Sequence, residues 1–243
     1  MRHQRQIIEI NGHTCIIYHE DNAKFFLIQP VDSHDTEELE HQIDYIEEHS
    51  TATFTHIAIR IEKWNAELTP WSAPPVFGKI PFGEGANHTL LYIIQQLIPE
   101  LQHRYNLSIC RENTFLGGYS LAGLFALWAS YQAEIPFNGI AAASPSAWYT
   151  GWLDYAESHT PQIKNAYISL GDKEEKTNKT HINHQQGHSP TRTHIQGKRN
   201  KQQDGMERRQ PFPRQWYQNG KRICMAYAKS RLIIPHIYNK RIN

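Results

Sequence analysis

Apolar and polar positions change their rhythm several times along this chain, and each rhythm predicts a different element. Ile7 to Ile10, Thr14 to His19 and Lys24 to Val31 are short β-branched or aromatic runs separated by Asn11-Gly12 and by Glu20 to Ala23. That spacing predicts antiparallel opening strands. Ser33 to Glu38 reads as a helix start, with Ser33 or Asp35 as the cap and acidic residues suiting the positive helix end. Leu39, Ile43 and Ile46 then give a narrow apolar stripe on a solvated helix. Phe54 to Ile61 alternates and then runs apolar, as a central strand does, and Leu68 to Pro75 is too rich in proline for regular structure. Gly83 to Ala86 introduces a helix over 87–104 with apolar positions at Leu90, Leu91, Ile94, Leu97, Ile98 and Leu101. Pro99 is the place where that helix should kink. A strand over 113–118, a helix over 121–133 and a strand over 137–143 follow. Strand and helix alternate as they do over a parallel sheet. A further strand, Ala166 to Leu170, ends at Gly171-Asp172.

The stretch from Phe115 to Trp128 carries the chemistry. An apolar run enters Gly117-Gly118, presents Ser120 after Tyr119, and leaves on a helical pattern through Leu121, Leu124, Phe125, Leu127 and Trp128. A serine on a sharp strand-to-helix turn needs a strained backbone, and its neighbours must be small so that strand and helix can meet. Gly118, Ala122 and Gly123 meet that need. The Leu121 N–H then points into the space that the Ser120 hydroxyl faces, so a nucleophile and one oxyanion donor arrive together at a positive helix end.

Length and composition narrow the field. The 243 residues suffice for one domain with a full core, no apolar run reaches the roughly 18 residues of a membrane span, and Cys15, Cys110 and Cys224 are too scattered for a disulfide framework or a zinc site. The reading at this level is a cytoplasmic protein without metal or cofactor. The net charge of +1 hides a break: residues 1–175 hold 10 Lys+Arg against 22 Asp+Glu, and residues 176–243 hold 15 against 2. The apolar content falls at the same place. We therefore expect a domain over 1–176 and a basic, polar tail over 177–243 without a packed fold.

Two further groups belong near Ser120. A long loop after a central strand lies at the sheet edge where open α/β sheets hold ligands, so a second oxyanion N–H is expected from Lys63 to Asn65, with Trp64 at its centre. Carboxylates just past the strand that ends at Gly171 are placed to orient a histidine, and Asp172, Glu174 and Glu175 compete for that role. Ser144 and Ser146, after the preceding strand, read as turn residues. Trp64, Trp71, Trp148 and Tyr149 are candidates for an aromatic acyl pocket or for buried packing.

Residues 54–176 resemble the group of α/β hydrolases that holds esterase D, the enterochelin esterases and the feruloyl esterases. The resemblance rests on Trp64, Pro70-Trp71, Gly83 to Ala86, Gly117 to Gly123, Ala143 to Ser146 and Ser169 to Glu174. It implies an α/β-hydrolase sheet, mostly parallel with antiparallel N-terminal strands, and cleavage of small-molecule carboxylic esters by a Ser, Asp/Glu, His triad. Carried over, Ser120 is the nucleophile, Leu121 an oxyanion donor, and Glu174 is favoured over Asp172 as the acid.

The departure is at the C-terminus, where relatives carry a histidine in a segment like Trp-Asn-x-Gly-x-His-Phe and this chain has none. Met206-Glu207 must be encoded ATG GAR, and reading one nucleotide later forces tryptophan; Met225-Ala226 forces a second. Allowed codons for Gly205 through Arg214 then read Glu-Trp-Asn-Glu-Gly-Asn-His-Phe-Arg. The tail thus reads as a frame shift near Lys176 to Thr180, which would remove the triad base and leave the C-terminal part of the sheet incomplete. Two alternatives stand beside it: His181 or His184 serves as base, or the chain is a non-catalytic hydrolase-like protein whose basic tail binds nucleic acid or an acidic partner.

Overall fold

The computed structural model describes residues 3–76, 78–163 and 165–169. Seven strands form one sheet in the order β1-β2-β4-β3-β5-β6-β7, with β1 Gln4–Ile10, β2 His13–His19, β3 Phe25–Val31, β4 Phe54–Arg60, β5 Thr114–Tyr119, β6 Gly139–Ala143 and β7 Asn165–Ser169. β1, β2 and β4 pair antiparallel, and every contact from β4 across to β7 is parallel. The opening hairpin turns on Asn11 and Gly12, both at positive φ (46° and 86°), the two-residue turn whose twist suits paired strands.

Helices cover both faces. On one, α1 (Asp35–His49) lays Leu39, Ile43 and Ile46 against Ile16, Tyr18, Val31 and Ala58. On the other, α3 (Ala86–Tyr92), α4 (Ile98–Tyr105), the turn Ile93–Leu97 between them and α5 (Leu121–Ala129) bury Leu90, Ile93, Leu97, Leu101, Leu124 and Phe125 against Ile17, Ile28, Ile57, Leu116 and Ile140. Burial on both faces is why the central strands read as continuous apolar runs. Among the described residues no helix is long and apolar enough to cross a membrane.

Local details depart from the sequence expectations. α1 is not capped by Ser33 or Asp35; the Asp32 carboxylate accepts the N–H groups of His34 and Asp35, each at 2.7 Å. Ahead of Pro99, where a kink is expected, a π-helical turn, Ile93–Leu97, stands between α3 and α4, and the Ile98 N–H reaches back to the Ile93 carbonyl. A wider turn just ahead of proline accommodates the N–H that proline cannot supply. The expected loop after β4 contains a short helix, α2 (Trp64–Glu67), and another, α6 (Trp152–Ser158), follows β6. Neither is long enough to show a helical period in sequence. The helix expected over 121–133 ends at Ala129, and the strand expected to Leu170 is described to Ser169. The boundary expected at residue 176 lies outside the described residues.

A buried polar triad ties α1 to the sheet. Gln42 of α1 donates to the Gln29 side-chain oxygen at 2.7 Å, and the same oxygen accepts His56 Nε2–H at 3.0 Å. His56 is fully buried, and desolvation holds its pKa down at about 3 against the usual 6.5. The folded form keeps His56 neutral while the unfolded chain takes up a proton below pH 6.5, so the neutral histidine's contribution is complete above pH 6.5 and is lost as pH falls toward 3. The loss should run at about 1.4 kcal/mol per pH unit. Denaturant melts of the protein and of His56→Gln between pH 7 and pH 4 check this: the variant starts less stable and its deficit shrinks by that slope on acidification. A deficit independent of pH would show that His56 is not held neutral.

Candidate active site

The turn between β5 and α5 is drawn tight by small residues. A Cβ on Gly118 would lie 2.5 Å from the Ala122 Cβ and 2.6 Å from its carbonyl carbon. No real side chain tolerates that. One on Gly123 would sit 3.1 Å from the Pro145 Cα and 3.2 Å from the Ala143 carbonyl oxygen, so α5 also depends on Gly123 to lie close to the loop after β6. The small-residue pattern read from the sequence thus has a direct steric cause.

That closeness forces Ser120 into φ 56° and ψ −117°, a region that L side chains rarely adopt. Its backbone is held from several sides. The Ser120 N–H donates to Ala143 O at 3.1 Å, and its carbonyl accepts the N–H groups of Leu124 and Ser146, each at 3.0 Å. The hydroxyl, half-buried, lies 3.3 Å from the hydroxyl of Ser146, which is 2% exposed. Leu121 is the first residue of α5, where a backbone N–H has no acceptor within its own helix. Nucleophile-type hydroxyl and helix N-terminus therefore share one place, which suits attack on a carbonyl whose oxygen gains negative charge.

Trp64 opens α2 after β4, at the same carboxyl end of the parallel strands. Its helix is fastened by Lys63 N–H, which donates to the Glu67 carboxylate at 2.9 Å, and by Gly83 and Gly85, whose N–H groups donate to Asn65 and Ala66 carbonyls. Lys63 N–H is thereby engaged, which leaves Trp64 and Asn65 at the helix start as the donors of that segment. The same loop packs onto the segment after Ser146. Trp71 donates from Nε1 to Thr150 O at 2.8 Å, the Tyr149 hydroxyl bonds the Trp71 carbonyl, and Phe82 meets Tyr149 edge-on and lies tilted beside Trp148. Tyr149, 2% exposed, is a packing residue, and Trp71 braces the loop against it.

Ser144 and Ser146 lie in the turn after β6, a stretch that the sequence reading sets near Ser120; that the Ser146 hydroxyl itself reaches Ser120 is not legible in the sequence. Asp172, Glu174 and Glu175, and the tail histidines His181 and His184, lie outside the described residues.

The strain at Ser120 is measurable. Ser120→Gly should stabilise the fold by about 1 kcal/mol relative to Ser120→Ala, because alanine shares the strain and glycine relieves it at some entropic cost. Thermal melts of the two variants make the comparison, since both lose the hydroxyl. Equal melting temperatures would show that the turn is relaxed.

Comparison with known proteins places this geometry. Over 121 residues the chain is 28% identical to the uncharacterized protein YbbA of Bacillus subtilis, covering 49% of this chain and 48% of YbbA. The match thus spans about half the length of that relative. Among solved structures, the siderophore hydrolase EstA of Aspergillus nidulans is similar over 97% of this chain and 84% of its own, with 17% identity and a TM-score of 0.58. An IroE-like serine hydrolase of Shewanella oneidensis is similar over 64% of this chain and 54% of its own, with 16% identity and a TM-score of 0.51. At such identities these likenesses speak for the fold, that of α/β-hydrolase-type esterases. The family described as "Putative esterase" matches residues 34–227, most of the chain and all of the elbow, and the chain belongs to that esterase family.

Proposed function

We propose that this protein is a serine-dependent carboxylic ester hydrolase that works through an acyl-Ser120 intermediate. The observation that carries the proposal is the strained Ser120 at the start of α5, with its hydroxyl beside a helix N-terminus. Ser120 Oγ attacks the ester carbonyl carbon, its proton passes to a histidine base, and the oxyanion is held by the Leu121 N–H with a second donor from Trp64. The alcohol leaves with that proton, and water then releases the acid from Ser120. Glu174, with Asp172 as the alternative, orients the base. Membership of the esterase family supports this reading, as does the likeness to the Shewanella protein, a serine hydrolase.

The proposal includes the tail. The family match runs past Lys176 to residue 227, across the basic stretch in which the resemblance would put a histidine segment. The shifted reading of that stretch restores such a histidine segment. We take the chain as written to be an impaired form, retaining about 10³–10⁴-fold acceleration over water from oxyanion stabilisation and binding.

Hydrolysis of p-nitrophenyl esters of graded acyl length by two chains tests this, one as written and one whose end carries the shifted reading. The restored chain should exceed the other in kcat/KM by about 10²-fold or more, and Ser120→Ala should abolish the gain. An inactive restored chain, or activity indifferent to Ser120→Ala, would overturn the serine mechanism. If the chain as written is equally active and His181→Ala or His184→Ala removes that activity, a tail histidine is the base and the frame proposal fails. Salt-dependent binding of RNA or DNA by an inactive chain would instead favour the tail as a basic arm.

A further inference from the structure

Strand β1 ends the sheet, and its pairing is itself informative. Among the described residues β1 pairs with β2 alone, along its whole length from Gln4↔His19 to Ile10↔His13. Because a two-residue turn closes the hairpin, the flanking pair Ile10↔His13 is hydrogen-bonded, and hydrogen-bonded pairs recur at every second residue: Ile8, Gln6 and Gln4. The N–H and C=O groups of Arg5, Ile7 and Glu9 consequently point away from β2, toward the open edge. The strand holds no proline or glycine that would blunt that edge.

The side chains of the same three residues share one face. Ile7 is 55% exposed, an unusual position for an isoleucine in a strand whose partner, Ile16, is buried. Arg5 and Glu9 flank it at equal spacing and with opposite charge. Each is oriented: Arg5 Nε lies 3.6 Å from Glu40, both side chains being about half exposed, and Glu9 accepts the Thr14 hydroxyl at 2.6 Å. A sequence of this form is complementary to itself when run antiparallel about its central residue.

We propose that β1 is a dimerisation edge whose occupant is β1 of a second copy of this chain, paired antiparallel about a two-fold axis through Ile7. Ile7 then lies opposite the partner's Ile7, Arg5 opposite the partner's Glu9, and Glu9 opposite the partner's Arg5. All three pairs fall in the hydrogen-bonded register, giving about six backbone bonds. The central isoleucines cover one another, and the opposite charges fix the register, since a slip by one residue would turn every side chain to the wrong face. The interface is isologous, as a two-fold demands. Its edge lies across β2, β4 and β3 from β5 and the Ser120 turn that follows it, so the association leaves that turn open.

Sedimentation equilibrium of the full chain at micromolar concentrations tests the proposal. The expected mass is twice 28.3 kDa. Arg5→Glu and Glu9→Arg each place like charges opposite one another at both ends of the paired strands. Each variant alone should be a monomer, and an equimolar mixture should form the heterodimer, in which every charge again meets its opposite. Ile7→Pro should dissociate the protein by removing the central donor while leaving the ladder to β2 intact. Arg5→Glu also faces Glu40, so Glu9→Arg with Ile7→Pro carries the test if Arg5→Glu fails to fold. A monomeric protein, or a dimer untouched by Glu9→Arg and Ile7→Pro, overturns the proposal. So does slow hydrogen exchange at the Arg5, Ile7 and Glu9 amides of a monomer, which would show another part of the same chain lying on that edge.

Discussion

The approach of α5 to β5 at Gly118 and Ala122 is the constraint on which the described structure turns. Atoms that would be in collision with any side chain at Gly118 set the distance between helix and strand, and that distance sets the backbone angles of Ser120. Strain of this kind costs on the order of 1–3 kcal/mol and persists only where the surroundings over-determine it. Here the surroundings are the hydrogen bonds from Ala143, Leu124 and Ser146, together with a helix whose apolar residues are almost all buried. The Ser120 backbone is therefore held in place from β6, from the turn after it and from α5 at once.

A second layer of support comes from the long loop between β4 and α3. Its proline-rich course is fixed by side chains and carbonyls rather than by a ladder. Thr69 donates its hydroxyl toward the Asn65 and Gly83 carbonyls, Thr89 donates to Glu67 O, and Trp71 and Tyr149 cross-link the loop to the segment that follows Ser146. The start of α2 and the exit of β6 are in this way parts of one assembly. Trp64 and Ser120, 56 positions apart in sequence by subtraction of their numbers, are carried by elements that share neighbours.

What the sequence disclosed follows from which constraints are local. The elbow was legible because each small residue in it answers a steric need within a few positions of Ser120. The central strands were legible because burial on two faces keeps them largely apolar, with polar residues such as Gln29 and His56 admitted where they bond one another. The short helices α2 and α6 were not, having too few turns to display a period, and the Asp32 cap was missed because its carboxylate reaches forward from outside the acidic turn. The wide turn at Ile93–Leu97, ahead of Pro99, was not legible either. The expected triad acid, Glu174 or Asp172, lies beyond Ser169, outside the described residues.

The strand order has a consequence for how the molecule is made. β5 pairs with β3, not with β4, and the paired residues Phe26 and Thr114 are 88 positions apart, 114 less 26. Parallel pairing at such separation requires a large loop to close before any contact rewards it. β1 to β4 can assemble as the ribosome releases them, while the strand that bears the serine must wait until the whole of α1, β4 and α3 to α4 has been synthesised and folded aside. Its slot beside β3 stays open in the meantime, an apolar edge of Phe26, Leu27 and Ile28 exposed in the nascent chain. The widest loop closure of the parallel sheet and an apolar edge left open during synthesis thus coincide at the strand that leads into Ser120.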